Sequence, residues 1–483
     1  MYRRLRPLRA LNCEADRCLV PPSPGLMAQL LQQYRAMRQQ QALPAGQSFA
    51  EFFEEWASAR RGGSAGALLA AGLDDGRLGR PDVPAPRFEP RVRPLKGIVQ
   101  TLVLLVDFPD RHHHADHTPE HYERMLFGLN GAFATGSMRE YYRHVSNYGR
   151  SRGVDVRGRV VGWLRMPNPL SHYTHRGSGM GRHYPNNAQG LALDAVHAAM
   201  AAGVDFLPFD AFGEHKITAL IIVHAGCGAE ETGKRSDLWS HKWTVPGCPE
   251  VAPGVRASTY LMVPEDCSVG VCAHEWGHLA ARWGDYYDTG SRGVSSGLGH
   301  YCLMAYGSWG NGGATPVLPN AMLRLGQGWI RPHVVTTSCQ DLLLTPAAEG
   351  GGCVLIRHPR TMAPTQYILV EYRRRESQDR YLPDQGIAVY MVDESVPTEN
   401  DEQDLAIQLI QADGRRDLEA RLDREHSGNA GDRGDLYPYR TRRTLGHHTR
   451  PPLRFAGGRP SGVTLRIKGR AGDPTMAIDV LME

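Results

Sequence analysis

The stretch that decides how this chain is read runs from Val271 to Gly290, VCAHEWGHLAARWGDYYDTG. Within it, His274-Glu275-Trp276-Gly277-His278 is an HExxH pattern. Residues four apart on a helix sit about 40° apart around the axis, so both imidazoles share one face. Two neutral imidazoles so placed can hold a zinc ion, and Glu275 beside the first can take a proton from water at the metal. Ser268 to Ala273 (SVGVCA) is small and apolar, which suits a buried helix. HExxH is short and also arises around ordinary core histidines, so its surroundings have to carry the reading. Here they include Gly284, the aspartates Asp285 and Asp288, and the segment CLMAYGSW at Cys302 to Trp309.

HEWGH followed by DYYDTG and then LMAYGSWGNGG resembles the immune inhibitor A-like secreted zinc metallopeptidases, a family of the metzincin kind. Further matching segments are VPPSP (Val20 to Pro24), LVLLVDFPD (Leu102 to Asp110), REYYRHVSNYG (Arg139 to Gly149) and HAGCGAEETG (His224 to Gly233). LWSHKW (Leu238 to Trp243), QADGRRDLE (Gln411 to Glu419) and GDRGDLYP (Gly431 to Pro438) extend the likeness over nearly the whole chain.

The resemblance implies an α+β fold: a zincin/metzincin-like catalytic domain followed by a β-rich C-terminal domain. It also implies a third metal ligand. A catalytic zinc takes three protein ligands and keeps one position open, and the related pattern is HExxHxxGxxD. This chain departs from it, with Ala281 at the glycine place and Asp285 seven residues after His278 instead of six. Alignment on Tyr287-Asp288-Thr289 still matches Asp285 to the family ligand, with one inserted residue before it. Gly284 could supply the displaced turn, since glycine readily adopts positive φ. A glutamate on a later helix is poorly served, because residues 289–340 contain no Asp or Glu. Asp288 and His300 are the remaining competitors. Met304 matches the methionine turn that packs beneath the ligands, a place that ordinary core packing describes equally well. Tyr306, two residues on, matches a tyrosine that in some metzincins approaches the metal and steadies the oxyanion; a plain buried tyrosine is the competing reading.

Composition bounds the rest. A chain of 483 residues accommodates two or three domains. A formal net charge of +4, without a dense basic run among aromatics, gives nucleic acid binding no support. No apolar run reaches transmembrane length. MYRRLRPLRALNCEADRCLV is basic with no apolar core behind it, so no secretory signal is recognisable, although the family is mainly secreted. A misassigned start, another export route and retention all stand open. Nine cysteines leave at least one unpaired; Cys227–Cys248 and Cys267–Cys302 are two of many pairings the sequence allows.

Along the chain, Pro24 to Arg61 reads as helical, and the Gly/Ala/Pro/Arg-rich Arg60 to Pro94 as a linker. Ile98 to Val106, Val154 to Trp163 and Ile217 to Val223 read as strands, Ser137 to Ser146 and Asn187 to Ala202 as helices, and Pro319 to Leu325 as a short helix. Tyr367 to Tyr372, Gly386 to Val392, Leu405 to Ile410, Val463 to Ile467 and Met476 to Leu481 read as strands of a small sandwich. The division expected is an N-terminal segment 1–95, by resemblance a pro-segment, a catalytic domain 96–350 and a β-rich domain 351–483. His112, His113, His114, His117 and His121 lie irregularly in a polar loop and read as surface residues rather than a metal site. Trp239, His241 and Trp243 read as core or as a pocket wall. Asp107, Asp110, Glu230 and Asp288 are oxygen donors for an open second cofactor, calcium.

The function expected is a zinc endopeptidase acting on protein or peptide substrates, with Glu275 as general base for a metal-activated water. The rivals are a catalytically inactive binding protein on the same scaffold and a zinc hydrolase of another substrate class. Cys18, just before VPPSP, is a thiolate candidate for holding the zinc in an inactive form.

Overall fold

The computed structural model describes residues 18–61, 94–149, 153–181, 183–287, 295–396, 405–420 and 429–483. Its fold is α+β. The run predicted from Ile98 to Val106 is the strand Gly97–Asp107, fully buried from Thr101 onward. It pairs in parallel with Val154–Arg165 on one side and Leu220–His224 on the other. A strand covered on both faces reads as continuous apolar sequence, which is why the run has no alternation. Thr259–Pro264 continues the sheet in parallel beside Leu220–His224. His241–Thr244 then turns antiparallel, and Cys18–Leu19 adds a short antiparallel strand on its outer side.

The helices over this sheet begin where their caps dictate. Met138–Val145 starts at a capping box, the Ser137 hydroxyl accepting from Glu140 N while the Glu140 carboxylate accepts from Ser137 N. Ala188–Ala201 starts at Asn187, whose side chain accepts from Gly190 N. The N-terminal helical stretch is two helices, Pro24–Gln39 and Phe49–Arg61. They share a small core of Leu26, Leu30, Tyr34, Phe49, Phe52 and Phe53, and Trp56 meets Trp239 edge-on at 6.1 Å. The linker read from Arg60 to Pro94 lies almost wholly outside the described residues.

Two further sheets follow. One has the order Ile407–Leu409, Gly386–Asp393, Gln366–Arg373, Cys353–Ile356, Pro332–Val335; the other is Cys339–Leu344, Met476–Met482, Val463–Lys468, Thr444–Leu445. Alternation along Gln366–Arg373 divides its burial: Ile368, Val370 and Tyr372 face the second core, while Tyr367 and Leu369 join the core of the first sheet. A division at 350/351 would cut through these sheets, because Pro332–Val335 pairs in parallel with Cys353–Ile356.

A buried charged network joins the strands to the first unit. Arg373 donates to both carboxylate oxygens of Asp379 at 2.5 and 2.7 Å, to Glu371 at 3.3 Å and to Tyr301 O at 2.8 Å. Arg324 donates to the other Glu371 oxygen, and Asp379 accepts Leu318 N at 3.1 Å. The network thus grips both ends of the 301–318 segment. Asp379→Ala leaves a buried guanidinium short of its main partner, a change that costs about 3–5 kcal/mol. Urea unfolding should show that loss, and a shift under about 1 kcal/mol would contradict the role assigned to the network.

Candidate metal centre

The helix Val269–Trp276 starts at Ser268, whose hydroxyl accepts Val271 N. It is clamped on three sides. Trp276 Nε1 donates to Thr101 Oγ1 of the central strand at 3.1 Å, and Tyr142 OH donates to Ala273 O at 2.5 Å. On the third side Gly270 lies against the 306–309 turn so closely that a Cβ would stand 1.9 Å from Ser308 O.

From Gly277 to Ala281 the helix widens into a π-turn. A π-turn takes up one extra residue within a helix, and the insertion noted between His278 and Asp285 is of that size. Gly277 is needed there for contact: a Cβ would lie 2.9 Å from Met304 Sδ and 3.0 Å from the Trp283 ring. The chain leaves the helix through Arg282 in the left-handed region (φ 56, ψ 41). This corrects the expectation that Gly284 makes the turn. Arginine accepts the left-handed conformation at a cost of about 1–2 kcal/mol, and its 2.8 Å bond to Glu214 offsets part of it.

His274 Nδ1 lies 2.9 Å from Leu303 O and His278 Nδ1 lies 2.7 Å from Trp283 O. A carbonyl only accepts, so both Nδ1 atoms carry the proton and both Nε2 atoms present lone pairs. Those Nε2 atoms are 3.0 Å apart, and Asp285 Oδ1 lies 3.1 Å from His274 Nε2 and 3.0 Å from His278 Nε2. Three lone-pair atoms converge with no proton between them, an arrangement that suits a shared cation. Ligand atoms around a tetrahedral zinc at about 2.0–2.1 Å are about 3.3 Å apart, close to this triangle. Burial raises the Asp285 carboxyl, and the charge and N–H donation of His278 and His274 in their protonated form lower it below its ordinary value. Burial pushes the His274 imidazole down, with Asp285 opposing.

Glu275 is fully buried, and neither carboxylate oxygen has a hydrogen-bond partner. One of its oxygens lies within 4.8 Å of ligand atoms of both His274 and His278. Burial, with Asp285 adding to it, pushes its carboxyl well above the usual range. The two acids therefore differ in surroundings: Asp285 lies against both imidazoles, whereas burial pushes the unpartnered Glu275 carboxyl upward.

Beneath the site, Leu303 O receives the His274 proton, Met304 O accepts Tyr286 N at 2.7 Å, and the Met304 thioether packs under Gly277. Tyr306 is buried with its ring 6.1 Å from that of Tyr287. His300 points elsewhere, its Nδ1 3.2 Å from Tyr306 O. Asp288 lies outside the described residues. Of the other oxygen donors, Asp107 is held by Arg165 at 2.6 Å, Asp110 accepts Leu170 N, and Glu230 accepts both Ser240 N and the Ser240 hydroxyl. The acidic group that does gather among the described residues is Asp413, Asp417 and Asp432. In the histidine loop, His113 stacks on Trp163 at 4.4 Å and His117 lies 2.9 Å from Glu265. Neither Cys227–Cys248 nor Cys267–Cys302 is bonded; all four thiols are free.

One feature escaped the sequence reading. Residues 18–23 lie along the antiparallel strand His241–Thr244 and the segment before it: Val20 N donates to Ser240 O at 3.2 Å and Ser23 N to Glu230 O at 2.9 Å. Trp239 Nε1 donates to Val20 O at 3.0 Å, Trp309 Nε1 to Pro21 O at 3.2 Å, and the Tyr287 hydroxyl to Leu19 O. The available signal was the position of Tyr287, two residues past Asp285, and the indole N–H groups of LWSHKW and YGSW.

Residues 96–322 match the family model of the immune inhibitor A peptidase M6 catalytic domain. Over that stretch the chain is similar to immune inhibitor A type peptidase domains. It is 32% identical over 263 residues to immune inhibitor A of Bacillus thuringiensis subsp. alesti, covering 45% of this chain and 38% of that protein. It is 28% identical over 265 residues to the pre-pro-metalloprotease PrtV of Vibrio cholerae serotype O1, covering 45% of this chain and 28% of that one. The match therefore spans well under half the length of either relative. Among the described residues no helix of this chain is long and apolar enough to cross a membrane.

If Asp285 completes the ligand set, Asp285→Ala should lower bound zinc well below one per chain at micromolar free metal while the fold persists. Elemental analysis after dialysis, read beside circular dichroism, checks this. Full zinc occupancy in Asp285→Ala would remove Asp285 from the set.

Proposed function

We propose that the chain is a secreted zinc endopeptidase. In this reading residues 96–322 lie within a metzincin-like catalytic unit, and a β-rich unit starts near Pro332. The observation that carries the proposal is the convergence of His274 Nε2, His278 Nε2 and Asp285 Oδ1 beside an unpartnered, buried Glu275. The donor set, two neutral imidazoles and one carboxylate, fits zinc. When bound, zinc supplies Lewis acidity at the scissile carbonyl and lowers the pKa of water to about 7. Glu275, as the carboxylate, takes the proton of the attacking water and returns it to the leaving amine, and burial, which raises its pKa, favours the first of these transfers. Tyr306, next to Tyr287, is the phenol assigned to the oxyanion.

A substrate would lie antiparallel along His241–Thr244, with main-chain bonds like those residues 18–23 now make. The N-terminal segment accordingly acts as a pro-segment that blocks the groove. One relative is itself named a pre-pro-metalloprotease. Export of the chain and protein or peptide substrates belong to the same reading.

Glu275→Gln keeps size and polarity but removes the base. Zinc content should be unchanged while casein or quenched-peptide cleavage falls roughly 10²–10⁴-fold. Near-normal cleavage by the purified variant defeats the mechanism. Cleavage insensitive to chelator points to another hydrolase chemistry, and zinc retention with no cleavage by the wild-type protein points to a binding protein. For the blocking segment, Val20→Pro removes the N–H given to Ser240 O. One hydrogen bond of about 1 kcal/mol corresponds to a roughly five-fold rise in full-length activity. An unchanged rate would show that the segment does not limit access.

A further inference from the structure

Two thiols outside the ligand set meet in the interior. Cys267 Sγ and Cys272 Sγ lie 3.4 Å apart. Cys267 closes the turn that leaves the strand Thr259–Pro264, its N–H bonded to Pro264 O at 3.1 Å. Cys272 lies in the helix that carries His274, its N–H bonded to Ser268 O at 3.1 Å. Between them stands the helix cap, Ser268. Both side chains are buried, Cys267 8% and Cys272 0% exposed.

A thiol is a weak donor and a weak acceptor, so attraction between the sulfurs does not set this distance. The framework does. The Ser268 cap, the Pro264 turn and the contact of Gly270 with Ser308 fix both backbones independently of the sulfurs. The other free thiols of the described residues are placed differently. Cys302 Sγ accepts Asn320 Nδ2 at 3.4 Å, Cys248 Sγ donates to Val245 O at 3.7 Å, and Cys227 is exposed.

We propose that Cys267 and Cys272 form a disulfide when the chain folds in an oxidising medium, stapling the strand-to-helix turn that launches the metal-binding helix. The oxidant is a small-molecule disulfide such as oxidised glutathione. One cysteine thiolate attacks its S–S bond and releases one glutathione thiol; the second thiolate attacks the mixed disulfide and releases the other. The protein loses two hydrogens, and the reagent's disulfide becomes two thiols. Bond formation brings the sulfurs from 3.4 Å to the covalent distance of about 2.0 Å. Because both sulfurs are buried, the exchange precedes final packing, and the finished bond is shielded from reductant in the folded protein. The staple would keep the first helical turn from fraying two residues ahead of His274.

The test uses the full chain refolded with oxidised and reduced glutathione, then denatured and alkylated without further reduction. Peptide mass mapping should find Cys267 and Cys272 joined to each other, lighter by two hydrogens, with Cys227, Cys248, Cys302, Cys339 and Cys353 alkylated. Complete alkylation of Cys267 and Cys272, or linkage of either to another cysteine, overturns the proposal. A second measurement addresses the staple. The oxidised protein should melt about 2–5 °C above the same chain refolded under reductant, and the double variant Cys267→Ala/Cys272→Ala should melt alike in both media. Equal melting of the two wild-type forms overturns the staple.

Discussion

Two hydrogen bonds settle the orientation of the histidine pair: His274 Nδ1 to Leu303 O and His278 Nδ1 to Trp283 O. Each uses the single ring proton of a neutral imidazole on a backbone carbonyl, so each Nε2 lone pair is turned toward Asp285. The acceptors come from two different segments. Trp283 belongs to the loop leaving the helix, and Leu303 to the turn that puts Met304 beneath Gly277. Whatever displaces either carbonyl rotates an imidazole. The buried Arg373–Asp379–Glu371 network therefore matters at a distance, because it holds Tyr301 O and Leu318 N on either side of that turn.

The same constraint accounts for the irregular helix end. Asp285 has to reach both Nε2 atoms, yet one residue too many separates it from His278 for the usual exit. The π-turn over Gly277–Ala281 absorbs the extra residue, and the left-handed Arg282 then reverses the chain. Strain in that conformation is tolerated because Trp283 O is bonded to His278, Trp283 N to Gly277 O, and Arg282 to Glu214.

His241–Thr244 pairs antiparallel with Thr259–Pro264 on one side and with Cys18–Leu19 on the other, and an edge of this kind can recruit extended peptide. In this molecule residues 18–23 take that place. They are held by main-chain and side-chain hydrogen bonds from Ser240 O, Glu230 O, two indole N–H groups and the Tyr287 hydroxyl, and by burial of Leu19 and Val20 in the core of the first sheet.

The sequence by itself determined the His274-Glu275-His278 spacing and the elements that carry it. The HExxH spacing, the helices read from Ser137 and from Asn187, and the apolar run of the central strand are local features, legible because helix periodicity and capping act over a few residues. The choice of Asp285 was legible only by resemblance; the geometry now puts its carboxylate against both imidazoles. Other features were beyond a local reading. The turn at Arg282 rather than Gly284 depends on Glu214, far away in the chain. The sheet membership of Pro332–Val335 depends on Cys353–Ile356. The meeting of residues 18–23 with Ser240 and Tyr287, and of Cys267 with Cys272 rather than Cys302, was decided by packing. Such contacts join segments whose separation or relative rotation leaves no periodic trace in the sequence, so only the tertiary structure could decide them.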